Sequence, residues 1–130
     1  MGATLTSEVK EFIHENIASY EDLQILLLMH DHPGRKWDAV DIAEQLRIEP
    51  LSASTHLMNL HWKGLIGHEK SKSHLYDFQY VPLPQPKEEQ VSALASTFDR
   101  ARVEVVDYIF KMSRSHLQSF ADAFKIKKDK

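Results

Sequence analysis

Through most of the chain, apolar residues recur every three or four positions, the spacing of one buried stripe on an α-helix. Val9, Phe12, Ile13 and Ile17 predict a first helix from Thr6 to about Ile17, with Glu8, Glu11 and Glu15 on its solvated side. Ser19, with Asp22 three residues on, predicts a second helix opened by a capping box. Leu23, Ile25, Leu26, Leu27, Leu28 and Met29 make that helix apolar almost all round, so it is expected at the centre of the core. Asp38 and Asp41 open a third helix whose Ile42, Ala43 and Leu46 face inward. Pro50 suits the first turn of a fourth helix, where a backbone N–H has no partner in any case. That helix buries Ala53, Leu57 and Leu60 and carries Ser52, Ser54, Thr55, Met58 and Asn59 on its other faces. Gly64 ends it where the chain must turn with positive φ.

From there the period changes to two. Leu65 to Lys70 and His74 to Tyr80 predict a hairpin turning at Ser71-Lys72-Ser73, with Tyr76, Phe78 and Tyr80 on the buried face. Arg35-Lys36-Trp37 reads as a short first strand with Trp37 packed inward. Pro82, Pro84 and Pro86 mark a linker. A long helix follows from about Lys87 to Met112, its stripe running Val91, Leu94, Ala95, Phe98, Ala101, Val105, Tyr108, Ile109 and Met112. Val103, Val106 and Phe110 form a second stripe, which implies contact with another chain or with the last helix; a homodimer is the preferred reading. A short terminal helix is expected from Ser115, with Leu117, Phe120, Ala121 and Phe124 inside. The fold class is therefore mainly α with a small β-wing. Residues 1–82 form the first unit, and 83–130 form a C-terminal helical extension.

The third and fourth helices, joined by the short turn Arg47-Ile48-Glu49, have the arrangement of a helix-turn-helix. The run Leu57, Leu60, Gly64, Leu65, Ile66 and the preceding segment WDAVDIAEQLRI resemble the winged helix-turn-helix of MarR-like and related bacterial regulators, over roughly residues 20 to 82. The resemblance implies a cytoplasmic, homodimeric transcriptional regulator that binds double-stranded DNA through the fourth helix. On that reading Ser52, Ser54, Thr55, Met58 and Asn59 enter the groove, while Arg35, Lys63, Lys70 and Lys72 hold phosphates. One departure from the pattern stands out. Such recognition helices usually carry arginine or lysine at the positions matching Thr55 and Asn59, and both are neutral here. The alternative is a winged-helix module that docks another protein through the same face, since Met58, His61 and Trp62 are residue types common at protein interfaces.

Charge bears on that choice. The net charge is −3. Residues 1–34 contain six acidic residues and one basic one, and 81–130 contain nine basic and seven acidic. Residues 35–80, which would meet DNA, contain six of each and are neutral, so phosphate neutralisation is expected to be weak. Four of the eight histidines, His56, His61, His68 and His74, fall in this segment, so binding is expected to strengthen as pH falls. His30 and His32 form an H-x-H pair without further ligands of suitable spacing; no metal or cofactor is expected, and both rings suit the C-terminus of the second helix. The tail of Lys125, Lys127, Lys128 and Lys130 reads as a solvated terminus.

Catalytic motifs are absent: no Gly-rich phosphate loop, nucleophile elbow or H-E-x-x-H occurs, so no enzyme is expected. The chain has no cysteine and no apolar run near the roughly eighteen residues that span a bilayer. MGATLT fits an N-myristoylation pattern through Gly2 and Thr6, but Thr6 equally caps the first helix, which is the preferred reading.

Overall fold

Each of the first three helices begins at a side chain that accepts an orphan backbone N–H. A computed structural model describes residues 5–70 and 76–112, and at Lys70 and Tyr76 only the backbone. Expectations for Gly2, Lys72, His74, the helix from Ser115 and the lysine tail lie outside the described residues. Helix α1 (Ser7–Asn16) is capped by Thr6, whose hydroxyl accepts from Val9 N–H at 3.2 Å. Helix α2 (Tyr20–His30) is capped by Ser19, which accepts from Asp22 N–H. The expected box is only half formed there, because the Asp22 carboxylate passes Ser19 and accepts from Ala18 N–H at 3.0 Å. Helix α3 (Ala39–Leu46) has the full reciprocal box between Asp38 and Asp41. It ends at Arg47, whose φ of 58° turns the chain towards α4 (Pro50–Trp62).

Gly64, at φ 76°, releases the chain from α4 into the wing. Strands β1 (Gly67–Lys70) and β2 (Tyr76–Gln79) pair antiparallel, with His68 opposite Phe78 and Glu69 opposite Asp77. The expected first strand is reduced to one bridge. Trp37 and Phe78 exchange backbone hydrogen bonds of 2.8 and 2.7 Å, and Trp37 is buried as its position implies.

The long C-terminal helix is a correction. Helix α5 (Lys87–Arg100) closes at Ala101, whose φ and ψ of −138° and 49° are not helical. A second helix, α6, spans residues 102–112. The stripe Leu94, Phe98, Ala101, Val105, Ile109, Met112 is buried on both sides of the break. Periodicity could not show the bend, since the pattern skips nothing and no glycine or proline marks it. A straight helix over that span would be about 39 Å long, more than a small domain can cover. The bend keeps both halves on the core.

One core joins these elements. Ile13, Leu23, Ile25, Leu26, Met29, Ile42, Leu57, Leu60, Leu65, Val91 and Leu94 are fully enclosed in it. Leu57 and Leu60 are thus buried as their spacing requires. The second stripe is open: Val103 and Phe110 are exposed and Val106 half-buried, with the Phe110 ring 6.5 Å from that of Tyr20.

Candidate nucleic-acid interface

The face that α4 offers outward follows from its buried stripe. With Ala53, Leu57 and Leu60 inside, Thr55 and Asn59 are exposed, and Ser52, Ser54 and Met58 are half-buried along the flanks. The Thr55 hydroxyl donates to Leu51 O at 3.1 Å, so its hydrogen is engaged and its methyl group and a lone pair remain for contact. Lys63 is exposed at the end of the helix. Five of the nine residues singled out from the sequence thus lie on α4, and Lys63 caps its end. Trp62, named for the docking alternative, is 76% exposed at one end of the helix, and Leu51, which the sequence reading missed, is 79% exposed at the other. Its position off the Ala53–Leu57–Leu60 stripe was the signal that could have found it.

The cations around the wing are less free than the sequence implied. Arg35 lies exposed at the wing's base, its guanidinium stacked 3.8 Å over the buried Trp37 ring. Lys36 forms an ion pair with Glu69 on β1. The Glu69 carboxylate, first by this hydrogen bond and then by its charge, raises the Lys36 ammonium above its ordinary range; Lys36 holds Glu69 below its own. Both charges are therefore fixed in place and cancel locally. Lys70 belongs to β1 through its backbone, and Lys72 lies outside the described residues.

The histidines also have partners. His61 Nδ1 is 3.2 Å from Ile66 O, and its ring lies 4.0 Å from that of His68, centroid to centroid. His68 in turn stacks on Phe78 at 5.7 Å. His56 turns away from the outward face and meets Asp22 of α2, Nδ1 to Oδ1 at 2.7 Å. Asp22 is 1% exposed and His56 19%. Burial lifts the Asp22 carboxyl above the usual carboxylate range, against the opposing pull of Ala18 N–H and His56. His32 Nδ1 meets Leu28 O at 3.0 Å, the helix-terminus role expected of it.

Two neighbouring residues at the start of α5 tie the interface to the C-terminal helices. Lys87 Nζ donates to Lys63 O at 2.8 Å, satisfying a carbonyl that the end of α4 leaves open. Glu88 Oε1 accepts from the Tyr80 hydroxyl at 2.7 Å and from Leu83 N–H at 2.8 Å. Its Oε2 is 3.9 Å from His30 Nε2 on α2. Burial alone would raise the Glu88 carboxyl, but Leu83 N–H, Tyr80 and His30 together hold it below the ordinary range. Burial and the facing Glu88 push the Tyr80 hydroxyl well above its usual value, so it stays a donor.

No family model matches the sequence, and no curated protein matches it. Solved structures share its fold. The YusO protein from Bacillus subtilis is 19% identical with a TM-score of 0.53, over 93% of this chain and 82% of that one. MepR, a transcription regulator of the Staphylococcus aureus multidrug efflux pump MepA, is 18% identical with a TM-score of 0.54, over 94% and 87%. A complex of S. aureus MepR with DNA matches at the same identity and TM-score, over 94% and 88%. Among the described residues no helix is long and apolar enough to cross a membrane. The chain has the winged helix-turn-helix fold that these solved structures share.

Proposed function

We propose that this protein is a DNA-binding transcriptional regulator and not an enzyme, acting as a homodimer that lays α4 in the major groove. The observation that carries the reading is the outward face of α4, where Thr55 and Asn59 are exposed beside half-buried Ser52 and Ser54 on a helix anchored in the core by Ala53, Leu57 and Leu60. Asparagine reads adenine through two hydrogen bonds, and threonine offers a methyl group to thymine. The fold is also that of a regulator seen on DNA. Lys63, Arg35, Lys70 and Lys72 supply the backbone contacts, with Met58 at the edge of the groove. Residues 83–130 supply the dimer contact, through the open Val103–Val106–Phe110 stripe of α6.

Binding to random-sequence duplex DNA across a salt series tests this reading. The neutral reading head neutralises few phosphates, so the slope should correspond to about two to four contacts per subunit, each worth roughly 0.9. Absence of binding at low salt with the fold intact would overturn it. The second reading, a protein-docking platform, is favoured by the exposure of Leu51 and Trp62 on the same helix. It predicts that Trp62→Ala leaves DNA binding at zero and abolishes capture of a partner.

A further inference from the structure

The stripe of Ala53, Leu57 and Leu60 packs α4 against the core and fixes which side faces inward, but hydrophobic attraction itself has no direction, so the finer roll about the axis is defined less sharply by it than by a hydrogen bond. The start of α4 adds nothing, because Glu49 makes no side-chain capping bond. Among the described residues, Lys87 holds the end of α4 at Lys63 O and His61 meets Ile66 O, while in the middle of the helix the directional contact to another helix is His56 to Asp22. We propose that the Asp22–His56 pair sets the rotation of α4 about its axis and so decides which side chains α4 presents to the groove. Asp22 is then a positioning residue acting through His56. The inference rests on the DNA reading for its consequence, though not for its geometry.

Three observations carry it. His56 is one turn from both Ser52 and Asn59, four residues after the first and three before the second, so it lies on the flank those two share. A roll of 20° would move a side-chain tip roughly 5–6 Å from the axis by about 2 Å, enough to break a two-point contact with a base. Finally, a carboxylate 1% exposed in a core is an unfavourable way to gain stability, since an apolar residue of similar volume serves as well or better. What the pair adds over an apolar contact is orientation.

The protons make the pair separable from simple packing. Asp22 Oδ2 accepts from Ala18 N–H, and Oδ1 lies 2.7 Å from His56 Nδ1, a contact that an ionised Asp22 makes by accepting from the Nδ1–H tautomer. Nδ1 donates equally from the neutral ring in that tautomer and from the imidazolium, so the bond survives protonation of His56. Glu21, on α2 itself, is the other charged group acting on Asp22. In Asp22→Asn the side-chain oxygen must take Ala18 N–H, which turns the amide nitrogen towards His56. His56 Nδ1 then has to accept, and protonation of the ring removes its lone pair.

The test follows the full-length protein and its Asp22→Asn, His56→Asn and His56→Leu variants. A random-sequence duplex pool is bound at about pH 8 and about pH 6 and the selected sequences read, with hydrogen exchange of residues 50–62 recorded in the absence of DNA. Asp22→Asn should match the native protein at the higher pH and lose about tenfold in affinity for the selected site at the lower one, the native protein showing no such loss. Exchange in α4 should rise with the same pH dependence. His56→Asn, which keeps a donor near the Nδ1 position, should retain the base preference, and His56→Leu should blur it. An unaltered pH profile in Asp22→Asn, or native preference in His56→Leu, would overturn the proposal. If the native protein binds no DNA at all, the DNA reading falls, and exchange in α4 alone decides whether the pair positions the helix.

Discussion

At the scale of single residues, the enclosed side chains behave as their spacing implies, while the polar ones depend on partners far away in sequence. Leu60→Ala empties a fully buried site and should destabilise the protein by about 2–5 kcal/mol in denaturant unfolding. An unchanged midpoint would mean that the buried face of α4 is assigned wrongly. Glu88 gives the clearest dependence on pH. Its carboxyl lies below the ordinary range of about 4.5, so its contribution is complete above that value and is lost as pH falls through the lower, folded one. Glu88→Gln should accordingly remove part of the acid sensitivity of unfolding and leave the neutral-pH slope unchanged. That Leu57 and Leu60 are core was legible from periodicity alone. That Asp22 meets His56 was not, because a contact between residues 34 apart leaves no local mark. A hint existed all the same: Asp22 stands one turn before Ile25 and Leu26, on the face that α2 buries.

At the scale of elements, caps and turns were the most readable features. Thr6, Ser19, Asp38 and Gly64 each act where the sequence placed them. Tertiary demands account for the differences. The reach of the core, not a breaker residue, divides α5 from α6, and the first strand is a single bridge at which the backbones of Trp37 and Phe78 satisfy one another. The wing shows how pairing changes function. Glu69 holds Lys36, so Glu69→Gln should free one cation and lift a negative charge from the hairpin. DNA affinity should rise, and the log–log salt slope should steepen by up to about 0.9, with melting temperature unaltered. A slope identical to that of the native protein would show that Lys36 stands away from phosphate.

At the scale of the whole molecule, the exposed stripe on α6 and the ties at the start of α5 are where the proposed assembly and the proposed reading of DNA would meet. Val103→Glu with Phe110→Glu places charge on surface already open to solvent, so the subunit should stay folded. Light scattering should then fall from dimer to monomer mass, and preference for two-fold symmetric sites should vanish with it. A native chain that is monomeric at high micromolar concentration would refute the dimer directly. The cancelled charges at the wing's base also have a kinetic consequence. Residues 35–80 project no net positive field, and Lys36 is already answered by Glu69, so encounter with DNA gains little from long-range attraction. Association should proceed near the unsteered rate of about 10⁵–10⁶ M⁻¹s⁻¹ and change little with ionic strength. On the proposed DNA reading, weak attraction to phosphate would leave little sliding along the duplex, and the site would be found mainly through repeated collisions in solution. The lifetime of the bound state, set by contacts along α4, then governs how long a site stays occupied.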